Sequence, residues 1–405
     1  MGNGKSQSAI TYMNEHRDSR FIYITPYLSE ATRIRNGCPL LHFVEPSDKI
    51  SRYNFKKSLH TQALIEEGCN ITTTHQAFKG YTPDTLERIK EKGYILIIDE
   101  NVDILESFDF SEYDLQMALE AGYIKKDNGI FYATDKQYHG KMFADLFRLL
   151  KSRELIQIED GDKKSLFYWA LPPGLITAFK EVFILTYLFQ GQSIRYFLDI
   201  YNIDYDFVGI EKVGEKKFRF GELPGYIPEY VSDIKNKLHI YDDERMNSVG
   251  ADFHALSMNW YKKHPEEIDV LKRNISNFFN NVNRGTPANK RLWGSYKGEF
   301  NAIRGKGYSN AFLTFNAKAT NEYRNRNCLV YITNLFMNVN EKKFYQLHGM
   351  EVDEDTYALS VMVQWIWRSA IRDGQEVYLY IPSSRMRNLL INWMNKIASG
   401  GDANE

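Results

Sequence analysis

Gly4, Lys5 and Ser6, with Gly2 just ahead of them, have the types and spacing of a phosphate-binding loop. In such a loop the glycines let the backbone wrap a triphosphate, the lysine reaches its β- and γ-phosphates, and the hydroxyl ligates Mg²⁺ at a helix N-terminus. A second pair complements the first: the apolar run Tyr94-Ile95-Leu96-Ile97-Ile98 leads straight into Asp99-Glu100. A carboxylate at a strand tip can hold Mg²⁺, and a glutamate beside it can polarise an attacking water, so Asp99 is a metal candidate with Ser6, and Glu100 a candidate base. Each feature has a plain alternative, since a glycine-rich terminus frays and an Asp-Glu pair can simply close a turn. Their coexistence favours ATP with Mg²⁺. The complete loop also calls for a glycine upstream of Gly4 and a buried strand before it, both ahead of Met1. Either the chain starts too late or the nucleotide site is degenerate.

A different chemistry is suggested between Asn281 and Val330. Nine basic residues (Arg284, Lys290, Arg291, Lys297, Arg304, Lys306, Lys318, Arg324 and Arg326) stand against two acidic ones, Glu299 and Glu322. Trp293, Tyr296, Phe300, Tyr308 and Tyr323 are interleaved with them. Cations neutralise phosphates and aromatic faces stack on bases, so Arg284, Lys290, Arg291, Trp293, Lys297 and Lys318 are the nucleic-acid-binding candidates. The alternative is a solvated loop face, which charge runs commonly form.

These groups need a scaffold. The stretch Ala9 to Arg17 reads as a polar helix and Phe21-Ile22-Tyr23-Ile24-Thr25, stopped by Pro26, as a strand. Cys69 to His75 reads as another strand, so Thr25, the Thr73-Thr74-His75 end and Asp99 would converge at one sheet edge. Strand and helix patterns alternate, which argues for a parallel α/β sheet with ligands at the strand C-termini. Residues 111–180 differ: Leu115 to Ala121 and Gly140 to Leu150 have helical periods, and this part is expected to be a helical insertion. Val182 to Leu188 is a further strand carrying Thr186. The second half repeats the pattern with strands at Leu238 to Tyr241, Ala311 to Phe315, Leu329 to Ile332 and Val377 to Ile381. Phe253 to Asn281 and Met386 to Ile397 read as helical. Two domains are expected, 1–190 and 191–405, with a boundary that no low-complexity linker marks.

Composition limits the classes. At 405 residues and 47.4 kDa the chain exceeds the usual size of a single core. No apolar run is long enough for a membrane span, and the N-terminus is polar, unlike a signal sequence. Cys38, Cys69 and Cys328 have neither disulfide-scaffold nor zinc spacing, which points to a reducing cytoplasm. A net charge of −1 argues against indiscriminate coating of nucleic acid but leaves room for a local basic groove.

In this order (Gly-Lys-Ser, a strand ending in Thr-Pro, one ending in Thr-Thr-His, one ending in Asp-Glu, one carrying Thr186) the chain resembles the superfamily 2 helicases. Gln364-Trp365-Ile366-Trp367-Arg368-Ser369-Ala370-Ile371-Arg372 is similar to the last motif of that family. The usual second arginine position holds Ile371, and the nearest arginine is Arg372; on a continued helix Arg368 and Arg372 would share a face. Phe315 to Asn321 sits where the preceding motif would fall. Asp-Glu-Asn-Val replaces a DEAD or DEAH box, so no subgroup follows, and the general likeness is to helicase-like proteins of phages and mobile elements.

The resemblance implies two RecA-like parallel-sheet domains in tandem, the first without its N-terminal strand, clamping ATP and Mg²⁺ between them. It implies Lys5 and Ser6 on phosphate and Mg²⁺, Asp99 on Mg²⁺, Glu100 as the water-orienting base, and Thr186 linking nucleotide state to closure. Gln364, Arg368 and Arg372 would complete the site from the second domain, with Pro26, Thr73, Thr74 and His75 near the nucleic-acid face. The partner would be a single or duplex strand, DNA ahead of RNA, in the host cytoplasm if the chain is phage-encoded. Two alternatives stay open: a packaging-type motor ATPase, and a non-catalytic binding module built on a helicase fold.

Overall fold

The computed structural model describes residues 4–107, 111–136, 138–141, 143–160, 163–317 and 322–399. The first lobe begins with helix α1 (Lys5–Glu15), strand β1 (Arg20–Thr25), helices α2 (Leu28–Gly37) and α3 (Lys57–Glu66), strand β2 (Ile71–Thr74), helix α4 (Pro83–Lys92) and strand β3 (Tyr94–Asp99). Pro83 opens α4 at its first turn, where a missing N–H costs nothing. Tyr94 to Ile98 are buried throughout, because helices cover both faces of a parallel sheet.

After β3 the chain leaves the sheet. It builds an antiparallel unit in the order β4 (Leu105–Ser107), β8 (Lys163–Ala170), β7 (Glu154–Asp160), β6 (Ile130–Ala133), β5 (Ile124–Asp127), with helices α5 (Glu112–Glu120) and α6 (Ala144–Leu150) packed on it. The insertion expected to be helical is therefore a sheet carrying two helices. Both helices with clear periods are present, Ser111 capping α5 through the Asp114 N–H at 3.2 Å. Their Leu115, Ala118 and Leu146 share a core with Phe131, Leu155 and Trp169 of the strands. Period-2 signals such as Ile156-Gln157-Ile158 are too short to outweigh the flanking helical periods.

The insertion is anchored at a narrow neck. Leu105 pairs with Ala170, and the Leu171 N–H donates to the Ile104 carbonyl at 3.1 Å. Buried Lys79, just after β2, pairs with Glu106 at 2.7 Å, and buried Arg153 pairs with the same carboxylate. Although burial works against its charge, Glu106 is held below the usual carboxylate range by Lys79 and Arg153.

The chain returns as β9 (Glu181–Leu185), completing a parallel sheet in the order β2-β1-β3-β9. No strand precedes α1 among the described residues, and β9 forms the sheet edge. A hairpin, β10 (Gly209–Lys212) and β11 (Phe218–Gly221), shelters that edge: Phe220 stacks on Phe183 of β9 with centroids 5.0 Å apart. Helix α7 (Ser193–Ile200) buries Ile194, Phe197 and Leu198 in the first-lobe core, so that core continues past the division expected at residue 190.

The second lobe comprises β12 (Leu238–Tyr241), α8 (Glu267–Asn277), β13 (Arg291–Gly294), β14 (Cys328–Tyr331), α9 (Val339–Leu347), α10 (Glu354–Ile366), β15 (Val377–Tyr380) and α11 (Ser384–Ala398). Its strands form a second parallel sheet in the order β12-β15-β14-β13. Helix α8 covers one face, and α10 with α11 the other. The strand expected at Ala311 to Phe315 is reduced to one bridge, Phe312 to Trp293. Arg291 to Gly294 takes the edge position instead. The two lobes are the tandem pair of RecA-like parallel-sheet domains that the resemblance implies.

Their junction is built from the segment after β9. Tyr187 and Leu188 belong to the second lobe's core, beside Trp365, Trp367 and Trp393. Gln192 donates to Ser360 Oγ at 3.0 Å, and Ser193 donates to Glu341 Oε1 at 2.6 Å. The insertion joins in, packing Ile156 and Tyr168 with Phe344 and Tyr345 of α9.

Candidate nucleotide site between the lobes

Parallel registers bring the strand tips together: Thr25 pairs with Thr74, Ile24 with Ile98, and Asp99 with Leu185. Gly4 sits at the entrance to α1 with φ of 88°, and the Phe218 ring lies 2.5 Å from where its Cβ would be. Only glycine fits there, both for its backbone and for space. The turn sets Lys5 and Ser6 at the first turn of α1, directly over the Asp99 tip of β3.

Ser6 Oγ donates to Asp99 Oδ2 at 3.2 Å, and Tyr23 Oη donates to the same oxygen at 2.7 Å. Burial raises the Asp99 pKa against the Tyr23 hydrogen bond, and the neighbouring Glu100 charge adds to the rise. Burial likewise pushes the Lys5 ammonium down to about 8, against the pull of Asp99 and Glu100. The Lys5 ammonium lies 5.7 Å from the centroid of the Tyr187 ring. A hydroxyl and a carboxylate in contact are hard oxygen donors, the set that a small divalent cation takes. The raised Asp99 carboxyl is one that such a charge would stabilise as an anion.

Across the junction, Arg368 Nη2 donates to Glu100 Oε1 at 2.7 Å. Arg368 is 8% exposed. Glu100 has φ of 65°, in the left-handed region that costs a non-glycine residue of order 1–3 kcal/mol. Four buried atoms around it have no hydrogen-bond partner among the described residues: Glu100 Oε2, Arg368 Nε, Thr186 Oγ1 and Thr25 Oγ1. Thr186 follows β9 next to Glu100, whose N–H donates to Leu185 O at 3.3 Å. Orphaned donors and acceptors at the strand tips and on this ion pair fit a polar ligand that would satisfy them.

Not every residue of the last motif joins this cleft. Helix α10 ends at Ile366, and Ala370 to Asp373 form a separate 3₁₀ turn, so Arg368 and Arg372 do not share a helical face. Trp367 packs edge-on against Trp393 where the helix has ended. Arg372 lies at the surface; partial burial, then the neighbouring Arg368 and Arg324 charges, lower its pKa. Gln364 is half-buried in the last turn of α10, and its side chain makes no hydrogen bond among the described residues. Gly2 lies outside the described residues.

The basic stretch is corrected more strongly. Trp293 is 0% exposed, inside the second lobe, with its Nε1 donating to Tyr308 O at 3.0 Å. Tyr296 and Tyr308 are also buried. These rings are core, not a stacking platform. Arg291 is buried too, its guanidinium donating to Thr286 O, Asn280 Oδ1 and Gly307 O. The cause is that Arg291 to Gly294 is a strand covered by α8, so its side chains point into protein. Arg284 and Lys297 are exposed and Lys290 is half-buried, while Lys318 lies outside the described residues.

Sequence reasoning missed Tyr23, Arg33, Tyr187 and Trp393. Tyr23 stands inside an apolar strand and reads as core. Arg33, paired with Glu30 at 2.7 Å, adds a second cation that acts on Asp99. Trp393 Nε1 donates to Tyr187 Oη at 3.0 Å and so ties α11 to the ring beneath Lys5. Only the tertiary fold brings those two residues together.

A family described as the YonV C-terminal Rossmann-like domain matches residues 232–394. The SPbeta prophage-derived uncharacterized protein YonV of Bacillus subtilis (strain 168) is 36% identical over 406 residues, covering 97% of this chain and 97% of that protein. Among solved structures, S. tokodaii Xpd4 aligns with a TM-score of 0.48 at 11% identity, covering 96% of this chain and 92% of that one. An XPD helicase aligns with a TM-score of 0.36 at 12% identity, covering 98% and 89%.

Proposed function

Given that the chain belongs to the YonV family, we propose that it is an ATP-hydrolysing motor of the helicase type, acting on a nucleic-acid strand held across two lobes in the cytoplasm. The observation that supports this most is the Arg368 to Glu100 contact, which sets a cation of the second lobe against the carboxylate beside Asp99, with Lys5 and Ser6 alongside. A triphosphate entering there would meet the Lys5 ammonium and the α1 N-terminus. Ser6 and Asp99 would hold Mg²⁺, which when bound supplies charge neutralisation at the phosphate oxygens.

The remaining work falls to side chains of this chain. Arg368 would exchange Glu100 for the terminal phosphate, where a fixed cation stabilises charge developing in the transition state. Glu100, released from that pair, would accept a hydrogen bond from the attacking water and orient it. Thr186, Tyr187 and Leu188 connect β9 to the second lobe's core, so movement at the phosphate would be transmitted to lobe closure.

The test is ATP hydrolysis by this chain with and without single-stranded DNA and RNA. Stimulation by either strand supports the motor and identifies its track. Strand binding with no hydrolysis would replace it with a non-catalytic binding module.

A further inference from the structure

Resting on that reading, we infer that the outer face of the second lobe carries a separate trough that grips the phosphodiester backbone of the strand. The trough measures about 710 Å³ and runs between α8, with its continuation to Asn281, and the loop from Arg304 to Tyr308. Lys272, Arg273, Ser276, Asn277, Asn280 and Asn281 recur at i, i+4 and i+8, which makes one polar stripe along that wall. Arg304 and Lys306 form the other wall. The four cations face a single lining carboxylate, Asp269, and among the described residues none of them lies within ion-pair distance of any carboxylate.

The trough is built rather than incidental. Buried Arg291 bridges its two walls, donating to Asn280 Oδ1 at 2.9 Å and to Gly307 O at 3.3 Å. The Arg304 guanidinium lies over the Phe300 ring at 5.6 Å, which limits its freedom. Cations on both walls suit a chain of phosphates, while Asn277 and Asn281 between them spend one amide donor each inside the wall, on Met246 Sδ and Asn277 Oδ1; buried aromatics leave no exposed ring for base stacking. Recognition there would be by backbone and insensitive to sequence. From Lys272 to Asn281 the polar stripe rises about 13 Å, long enough for more than one phosphate.

The experiment compares the wild-type chain with a Lys272→Ala, Arg304→Ala double variant, both positions being outside the nucleotide site and on the surface. Affinity for a labelled single-stranded oligonucleotide should fall about tenfold, and the slope of log affinity against log salt should become shallower by about 1.4, two contacts at about 0.7 each. Strand-independent ATP hydrolysis should be unchanged. Equal affinity and slope in the two proteins would overturn the trough while leaving the motor intact. A wild-type chain that hydrolyses ATP but binds no strand would overturn both the trough and the strand-driven motor.

Discussion

Arg368 and Glu100 hold each other across the lobe junction at 2.7 Å, so a cation of the second lobe and a carboxylate of the first neutralise one another. The pair is shielded from solvent, with side chains 9% and 23% exposed. Either group, left alone, would be a charge in a poorly hydrated cleft. In the proposed motor the contact would act as a latch that a ligand with its own negative charge opens.

From this, Arg368→Ala should reduce ATP turnover by about 10³-fold or more while nucleotide still binds. Glu100→Gln should reduce turnover by about 10²- to 10⁴-fold and retain binding, whereas Lys5→Ala should weaken binding itself. Steady-state hydrolysis alongside a fluorescent-nucleotide titration separates the cases. Wild-type turnover in all three variants would remove the catalytic reading.

Trp393→Phe keeps an aromatic ring against Trp367 but deletes the N–H that Tyr187 accepts. A lost hydrogen bond of this kind costs about 1 kcal/mol of stability. Because Tyr187 also underlies Lys5, the variant should hydrolyse ATP several-fold more slowly with little change in nucleotide affinity. A lowered affinity at unchanged turnover would contradict that link.

Burial raises the pKa of Glu341 at the junction, against hydrogen bonds donated by Ser193 and Tyr345. The folded chain thus binds this proton more tightly than the unfolded one. As pH climbs from the ordinary value of 4.5 through the raised one, this site's contribution to stability should fall. Glu341→Gln should remove that part of the slope. Chemical denaturation of both proteins across the acid range would test it, and parallel curves would rule it out.

Gly191 approaches the second lobe so closely that a Cβ would stand 2.4 Å from the Tyr357 nitrogen and 2.6 Å from the Thr356 carbonyl carbon. Both are backbone atoms at the start of α10, with nowhere to retreat. Gly191→Ala should push the lobes apart, lowering stability by about 1–3 kcal/mol and enlarging the particle in solution scattering. An unchanged scattering profile with native stability would mean that the junction can yield locally.

Much of the scaffold could be read from residues whose local and tertiary demands agree. Tyr94 to Asp99 is apolar, β-favouring and terminated by charge, and it is a central strand; β12, β14 and β15 announce themselves similarly. The proximity of Ser6 to Asp99 and of Arg368 to Glu100 follows from the order of those strands. Other features were hidden by conflict between signals. Around Arg291 and Trp293, charge density masks a four-residue strand whose arginine satisfies carbonyls inside the protein. At Arg372 the helical period continues on paper, but the chain has already left α10. Tyr187 and Trp393 lie far apart in sequence, and nothing local in either announces the other.

The excursion between β3 and β9 has a consequence for how the chain is made on a ribosome. Asp99 emerges long before Leu185, its neighbour in the sheet, and at roughly 5–20 residues per second that interval lasts several seconds. Throughout it β3 has one bare edge, and the whole antiparallel unit, with its neck at Leu105 and Ala170, is synthesised before Glu181 emerges to pair with Ile95. Tyr187 and Leu188 then wait longer still, because the core that receives them is not complete until α11 has been synthesised. Translation thus imposes a sequence of assembly in which the Gly4 to Ser6 turn emerges well before the second lobe and is among the last parts to be locked.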